Sequence, residues 1–460
     1  MKHQNKIISI LLGGTLLTSL VLLTPNKNVN KVEAYDKTTN STLAKNINLN
    51  DLSDNDIRNY YSNLNSLSET ERQGDNLLKN LKGILKNGQK YFAYENNETV
   101  WRTYEIIDRD WKLSPASEIE GYDASTNTIS GYTYHKSGVD PYVHALYVDR
   151  SVTNTMTAWK NHNQTAWGIN REHIWPKSQG FEDEGSGGAR GDLLHLWAAD
   201  GKANWLHNAY SYGYVDKDKT VTKLTTTAET DPNYQNDEFY YVRNNIRGTS
   251  KTLGSGTVFE PQDSDKGDIA RALFYMAARY NNFDGDTAID SDNPNLRLTN
   301  VIATTSGYQS STSIIGEYGI LSDLLEWNKL DPVDEFELHR NNLCYNNYTN
   351  NRNPFIDFPE WADLIWGADK TTKSANPASD DIARPQDFVP PTEDTAKKDD
   401  GNIIPGVPNL YFFIACGVVG LVVLIVIIVI MTKGSKKQKK ALKKIGKKVV
   451  KSQTKSKKRK

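Results

Sequence analysis

The chain has 460 residues, 37% of them hydrophobic and 24% charged, with a formal charge of −1. That near-neutral figure conceals a basic end: residues 432–460 hold 15 Lys and Arg and no acid, which leaves the remainder at −16. An acidic body excludes long-range attraction to a polyanion, and two cysteines, one of them inside an apolar run, exclude a disulfide framework.

In chain order, Lys2 and Lys6 precede the apolar run "IISILLGGTLLTSLVLL", and "VEA" ending at Ala34 offers small residues to a signal peptidase. Residues 1–34 are therefore expected to be a cleaved export signal, and the Asn, Thr and Lys-rich residues 35–50 a disordered segment. A catalytic domain is expected over 51–367. Within it, "GDNLLKNLKGILKNG" repeats leucine at 77, 81 and 85 beside Leu78 and stops at Gly88, which predicts an amphipathic helix. Short β-type runs follow between Tyr122 and Tyr147.

"NREHIWPKSQG" (170–180) sets Glu172 beside His173. Neighbours on a strand point to opposite faces, so the two can serve one centre only at a strand end or a bend. Alone, the pair is a common surface dipeptide. After the glycine-rich "EDEGSGGARG" comes "DLLHLWAADGKANWLHNAYSYG", with "LLHLWA" as a short strand and Asp200 as N-cap of a helix. Asn204 lies in that helix, with His207 and Asn208 on the same face. Two strands and a helix suffice to bring Glu172, His173 and Asn204 together.

One carboxylate and one amide oxygen suit a hard cation that keeps several waters, with Mg²⁺ as first choice and Mn²⁺ or Ca²⁺ as alternatives. Nothing has the spacing of a zinc site. A histidine near neutral pKa can take a proton from water, so the grouping makes sense as phosphodiester hydrolysis.

Farther on, "GDIARALFYMAARYNNF" and "SDLLEWNKLDPVDEFELHRNNLCYNNY" predict helices, with Ile269, Leu273, Met276, Leu324 and Trp327 on apolar faces. Arg352, Asn353 and Asp357 in "NRNPFID" read as turn chemistry that locks the C-terminal segment onto the core. Residues 368–409 lose periodicity and are expected to be a flexible linker. Residues 410–431, "LYFFIACGVVGLVVLIVIIVIM", carry no charge and are long enough for a transmembrane helix; the basic tail 432–460 would then be cytoplasmic and touch anionic lipid. The expected location is the cell membrane, single-pass, with the catalytic domain extracellular.

The blocks "NREHIWPKSQG" and "DLLHLWAADGKANWLHNAYSYG", followed in order by "VFEPQDSDKGDIARALFYMAARY", "LLEWNKLDPVDEFELHRNN" and "NRNPFIDFPEWADLIW", resemble the bacterial endonuclease I family over roughly Leu77 to Gly367. The resemblance implies an α+β fold class, a ββα-metal (His-Me) finger embedded in a mostly helical single domain, here with the C-terminal transmembrane helix added. It further implies His173 as general base, Glu172 and Asn204 as metal ligands, and products with 5′-phosphate and 3′-hydroxyl ends. Asp192 and His195 match the strand before the helix and would organise the site. Two positions depart from the family pattern: His207 stands where an Arg often sits on the helix, and Ala198 where a Pro often follows the strand. Arg171 and Arg190 are left as candidates for holding phosphate, with His207 either a phosphate contact or a solvated side chain.

The expected function is metal-dependent endonucleolytic cleavage of DNA, with RNA as a further substrate, at little sequence preference and without a small-molecule cofactor. Two other readings are a surface DNA-binding protein that has lost catalysis and a phosphodiesterase of small nucleotides or lipid head groups.

Overall fold

Leu77, Leu78, Leu81, Ile84 and Leu85 form the buried stripe of the helix Gly74–Lys86 (α1), as the leucine spacing predicts. The computed structural model to which it belongs describes residues 39–40, 44, 46–92, 94, 97–131, 141–148, 150–153, 169–181, 188–223, 244–282, 294–302 and 315–389. The export signal at 1–34, the transmembrane segment at 410–431 and the tail at 432–460 lie outside the described residues, as does half of the segment 35–50.

After α1 come the helix Asn97–Ile107 (α2) and a hairpin of Tyr142–Ala145 (β1) with Arg150–Thr153 (β2). The next two strands carry the Glu-His pair and its partner. Ile169–His173 (β3) runs antiparallel to Leu196–Asp200 (β4), with Glu172 opposite Trp197 and His173 opposite Leu196. Leu146, just past β1, accepts from Asp200 N and donates to Ala198 O, so the hairpin flanks the pair. Asp200 then caps Gly201–His207 (α3), its carboxylate accepting from Lys202 N and Ala203 N at 2.9 and 3.0 Å.

Four further strands, Ser211–Tyr212 (β5), Val221–Lys223 (β6), Ile246–Thr249 (β7) and Thr257–Glu260 (β8), form a sheet in the order β5-β8-β7-β6. The helix Lys266–Arg279 (α4) follows. Every one of its residues is buried, so it is the central helix of the core. The parallel pair Asn295–Leu298 (β9) and Ile315–Tyr318 (β10) leads to the helices Leu321–Leu330 (α5) and Glu335–Cys344 (α6).

Buried charge fixes the helices around the site. Arg340 of α6 reaches Asp108 at 2.6 Å and the carbonyls of Leu193 and Leu196, and Asp108 in turn accepts from Ala198 N at 3.0 Å, so α6 braces β4 directly. Removing either partner of such a pair leaves an uncompensated buried charge, at a cost of roughly 3–5 kcal/mol. In the "NRNPFID" turn Arg352 makes two bonds to Asp357, at 2.9 and 2.6 Å, and Asn353 caps Pro354–Asp357 while reaching Arg271 O.

Two differences from expectation stand out. The compact unit holding these elements extends to Asp387, past Gly367. Residues beyond Gly367 are tied down: Ala375 is buried and exchanges backbone and side-chain bonds with Arg72, and Ala383 N donates to Asp357 O. Low periodicity hides such a strap, because what holds it is backbone hydrogen bonding to residues far away in sequence. The fold class is also corrected. The described domain is mixed helix and sheet, not mostly helical, and among the described residues, which do not include 410–431, no helix is long and apolar enough to cross a membrane.

Candidate active site

Glu172 and His173 occupy the last two positions of β3, and the strand's end resolves the problem of opposite faces. Both line one cavity of about 370 Å³, together with Asn204 of α3. Past the strand, Trp175 Nε1 donates to Gln179 O at 2.9 Å and closes the tight turn over Lys177–Gln179. Gly180 ends that turn at φ +146, where a Cβ would lie 2.5 Å from Leu296 Cδ2 and 3.0 Å from Gly316 Cα. Only glycine lets the turn pack this closely on β10.

Glu172 is buried and its two oxygens differ. Oε1 accepts from the Tyr147 hydroxyl at 2.6 Å and lies 2.9 Å from His207 Nδ1. Oε2 has no hydrogen-bond donor among the described residues. Burial, reinforced by the nearby Glu172 charge, holds the Tyr147 phenol far above its ordinary pKa, so it stays a donor. Tyr147 has φ +76, an unusual conformation for a bulky residue, stored where it aims a hydroxyl at a candidate ligand.

His173 is also buried, and burial pushes its pKa well below the ordinary histidine value. Its Nε2 lies 3.0 Å from Arg190 O. A carbonyl can only accept, so Nε2 carries the hydrogen and Nδ1 of the neutral ring keeps its lone pair. This is the protonation state that a general base needs.

Asn204 sits half-buried on α3, and its side chain makes no hydrogen bond among the described residues. A carboxylate oxygen and a side-chain amide, both unspent and both lining one cavity, fit the donor set of a hard divalent cation. Among the described residues no group of three or more His, Cys, Asp or Glu side chains could hold a metal, so any cation must rely on this sparse set and on water or substrate oxygens.

The other candidates fall in different places. Asp192 is buried beneath the cavity with four hydrogen bonds, from Gln89 Nε2, Leu194 N and the hydroxyls of Tyr275 and Tyr280, at 2.6 to 3.0 Å. His195 is fully buried, its Nε2 2.7 Å from Ala189 O, and burial lowers its pKa to about 4. Neither lines the cavity.

Arg171 donates to Tyr94 O at 2.9 Å and lies 4.1 Å over the Tyr94 ring. Arg190 is 4.7 Å from that ring and Lys177 5.6 Å, so three cations gather around one tyrosine. Only Arg171 and Lys177 line the cavity.

His207 is neither a solvated side chain nor a free phosphate contact. Besides meeting Glu172, its Nε2 lies 3.0 Å from Tyr210 O and from the Tyr318 hydroxyl, and its ring stacks on Tyr212 at 4.4 Å. The reason is local: α3 is two turns long, and left-handed backbone at Asn208 and Ala209 folds Tyr210 back against the ring. Sequence reasoning missed Tyr147, Tyr212, Tyr318 and Tyr94; a tyrosine in a β-type run gives no sign of what its hydroxyl meets.

Comparison with known proteins is consistent with this geometry. A model of the Endonuclease I family matches residues 73–360. The extracellular ribonuclease of Bacillus subtilis (strain 168) is 39% identical over 199 residues, which is 43% of this chain and 54% of that protein. The extracellular ribonuclease of Bacillus amyloliquefaciens is 38% identical over 197 residues, 43% of this chain and 53% of the relative. The chain thus spans about half the length of the relatives it matches. No solved structure matches it. The expected cell-membrane location is corrected by these findings: both relatives are named as extracellular, and no membrane-spanning helix is present among the described residues.

Proposed function

We propose that this chain, which belongs to the endonuclease I family, is an extracellular nuclease that hydrolyses phosphodiester bonds of RNA and DNA. The observation that carries the reading is His173 fixed as a neutral base by Arg190 O, beside a Glu172 that keeps one oxygen unspent.

In the proposed reaction His173 Nδ1 takes a proton from water as the oxygen attacks phosphorus. The bond from phosphorus to the 3′ oxygen breaks, that oxygen takes a proton from solvent water and leaves as a 3′-hydroxyl, and the phosphate stays on the 5′ oxygen of the following nucleotide. Glu172 and Asn204 would hold a divalent cation, on which the family generally depends. When bound, it supplies positive charge to the phosphate and the departing oxygen. Tyr147 and His207 keep Glu172 Oε1 engaged and so orient the carboxylate. Arg171 and Lys177, lining the cavity, would add positive charge for the nucleic-acid backbone in an otherwise acidic body.

Because the nucleophile is water, the sugar 2′-hydroxyl has no role in bond breaking. RNA and DNA therefore both qualify, in keeping with relatives named as ribonucleases. The reading is tested by incubating labelled RNA and DNA of one sequence with the protein and its His173→Ala variant, in Mg²⁺ and in chelator. Cutting of both by the unaltered protein alone, in Mg²⁺ alone, with 5′-phosphate ends, is the expected result. Full cutting by the variant would remove the assigned base.

A further inference from the structure

Besides its histidines, four aromatic side chains line the cavity, and three of them are buried. Tyr94 and Trp101 are buried, with Tyr94 attended by Arg171 and Arg190, and Phe181 is buried against His173 and His195. Trp205 is different. It is 61% exposed, on the two-turn helix α3, one residue past Asn204. An indole left in water at a helix position that any polar residue could fill forgoes the gain of burying apolar area. Its cost is offset only when something covers it.

On the nuclease reading above, we propose that Trp205 is a stacking platform for an unpaired nucleobase beside the scissile phosphate, and that it makes single-stranded nucleic acid the preferred substrate. Position supports this. The side chain shares the cavity with His173, Glu172 and Asn204, so a phosphate held there places its own base within reach of the indole. Selectivity for single strands follows from the geometry of stacking. Every base has a face that an indole can cover, but in a duplex those faces are already covered by neighbouring bases, and exposing one means unstacking and unpairing it. The same property makes the contact indifferent to sequence, because no hydrogen-bonding edge is read. Two cations at the cavity, Arg171 and Lys177, would hold the backbone while the base lies on the ring.

The test compares the whole chain with Trp205→Ala and Trp205→Phe on one oligonucleotide, single-stranded and annealed to its complement. Cleavage is followed in Mg²⁺. Binding is followed by fluorescence anisotropy of the labelled strand, on a His173→Ala background so that the probe stays intact. Trp205→Ala should weaken single-strand binding, and raise KM more than it lowers kcat, on the order of 10-fold, as expected for one lost base stack. Its effect on the duplex should be under about 2-fold, and Trp205→Phe should recover most of the loss, because a smaller aromatic face still stacks. Equal losses on both substrates would show a structural role, and no loss on either would show an idle ring; each overturns the proposal. Absence of any cutting by the unaltered chain would instead overturn the nuclease reading beneath it.

Discussion

Two buried carboxylates lie on neighbouring parts of the ββα unit and are treated in opposite ways. Asp192, under the cavity, has both oxygens engaged by four donors. Glu172, at its wall, has one oxygen engaged by Tyr147 and His207 and the other left over. The histidines divide by place: each spends Nε2 on a carbonyl, but His173 lines the cavity, whereas His195, fully buried with Nδ1 unpartnered, does not. Burial and charge alone do not distinguish a working group from a structural one. An unspent atom on a residue that lines the cavity does.

The comparison breaks most visibly at His173. Substitution by alanine should lower kcat by about 10²- to 10⁴-fold, the usual worth of a positioned base, with little change in thermal unfolding temperature. Loss of Glu172 comes next. Glu172→Gln keeps the shape but removes the charge, and the cation concentration for half-maximal cleavage should rise by at least about 10-fold, the scale seen when metal sites are altered. Tyr147→Phe should produce a smaller rise in the same titration, because Oε1 retains His207.

Asp192→Asn should do the reverse. An amide cannot accept from Gln89, Tyr275 and Tyr280 together, so unfolding should become easier by roughly 1–3 kcal/mol in urea, while the cation requirement of the folded fraction stays unchanged.

Acid should act on both histidines, with a defined sign. Each has its pKa lowered by burial in the fold, His195 to about 4. The folded state therefore resists protons that the unfolded chain binds below about pH 6.5, so stability is greatest above that pH and falls as pH drops toward 4. His195 alone accounts for a loss of about 3 kcal/mol by this linkage, measurable in urea titrations between pH 7 and 4. Activity, so far as it follows His173, should persist below the ordinary histidine range.

Part of this organisation is legible in the sequence. Asp200 reads as a helix N-cap and acts as one, and the spacing from Glu172-His173 to Asn204 suffices to bring the three to one cavity. The leucine stripe of α1 lies in the core as its period implies. The tyrosine shell is not legible. Tyr147 is 25 residues from Glu172 and meets it through a positive φ, and Tyr318 reaches His207 across 111 residues. No local pattern encodes either contact. His207 misleads for the same reason: helical periodicity places it beside Asn204, but the left-handed turn after it decides that it is buried.

The account is tested most directly by one titration. Cleavage rate against Mg²⁺ concentration would be measured for the unaltered protein, Glu172→Gln, Asn204→Ala and Asp192→Asn. The account predicts curves displaced to higher Mg²⁺ for the first two variants and a curve of unchanged midpoint for Asp192→Asn. Unchanged midpoints at Glu172 and Asn204, or a displaced one at Asp192, would contradict it.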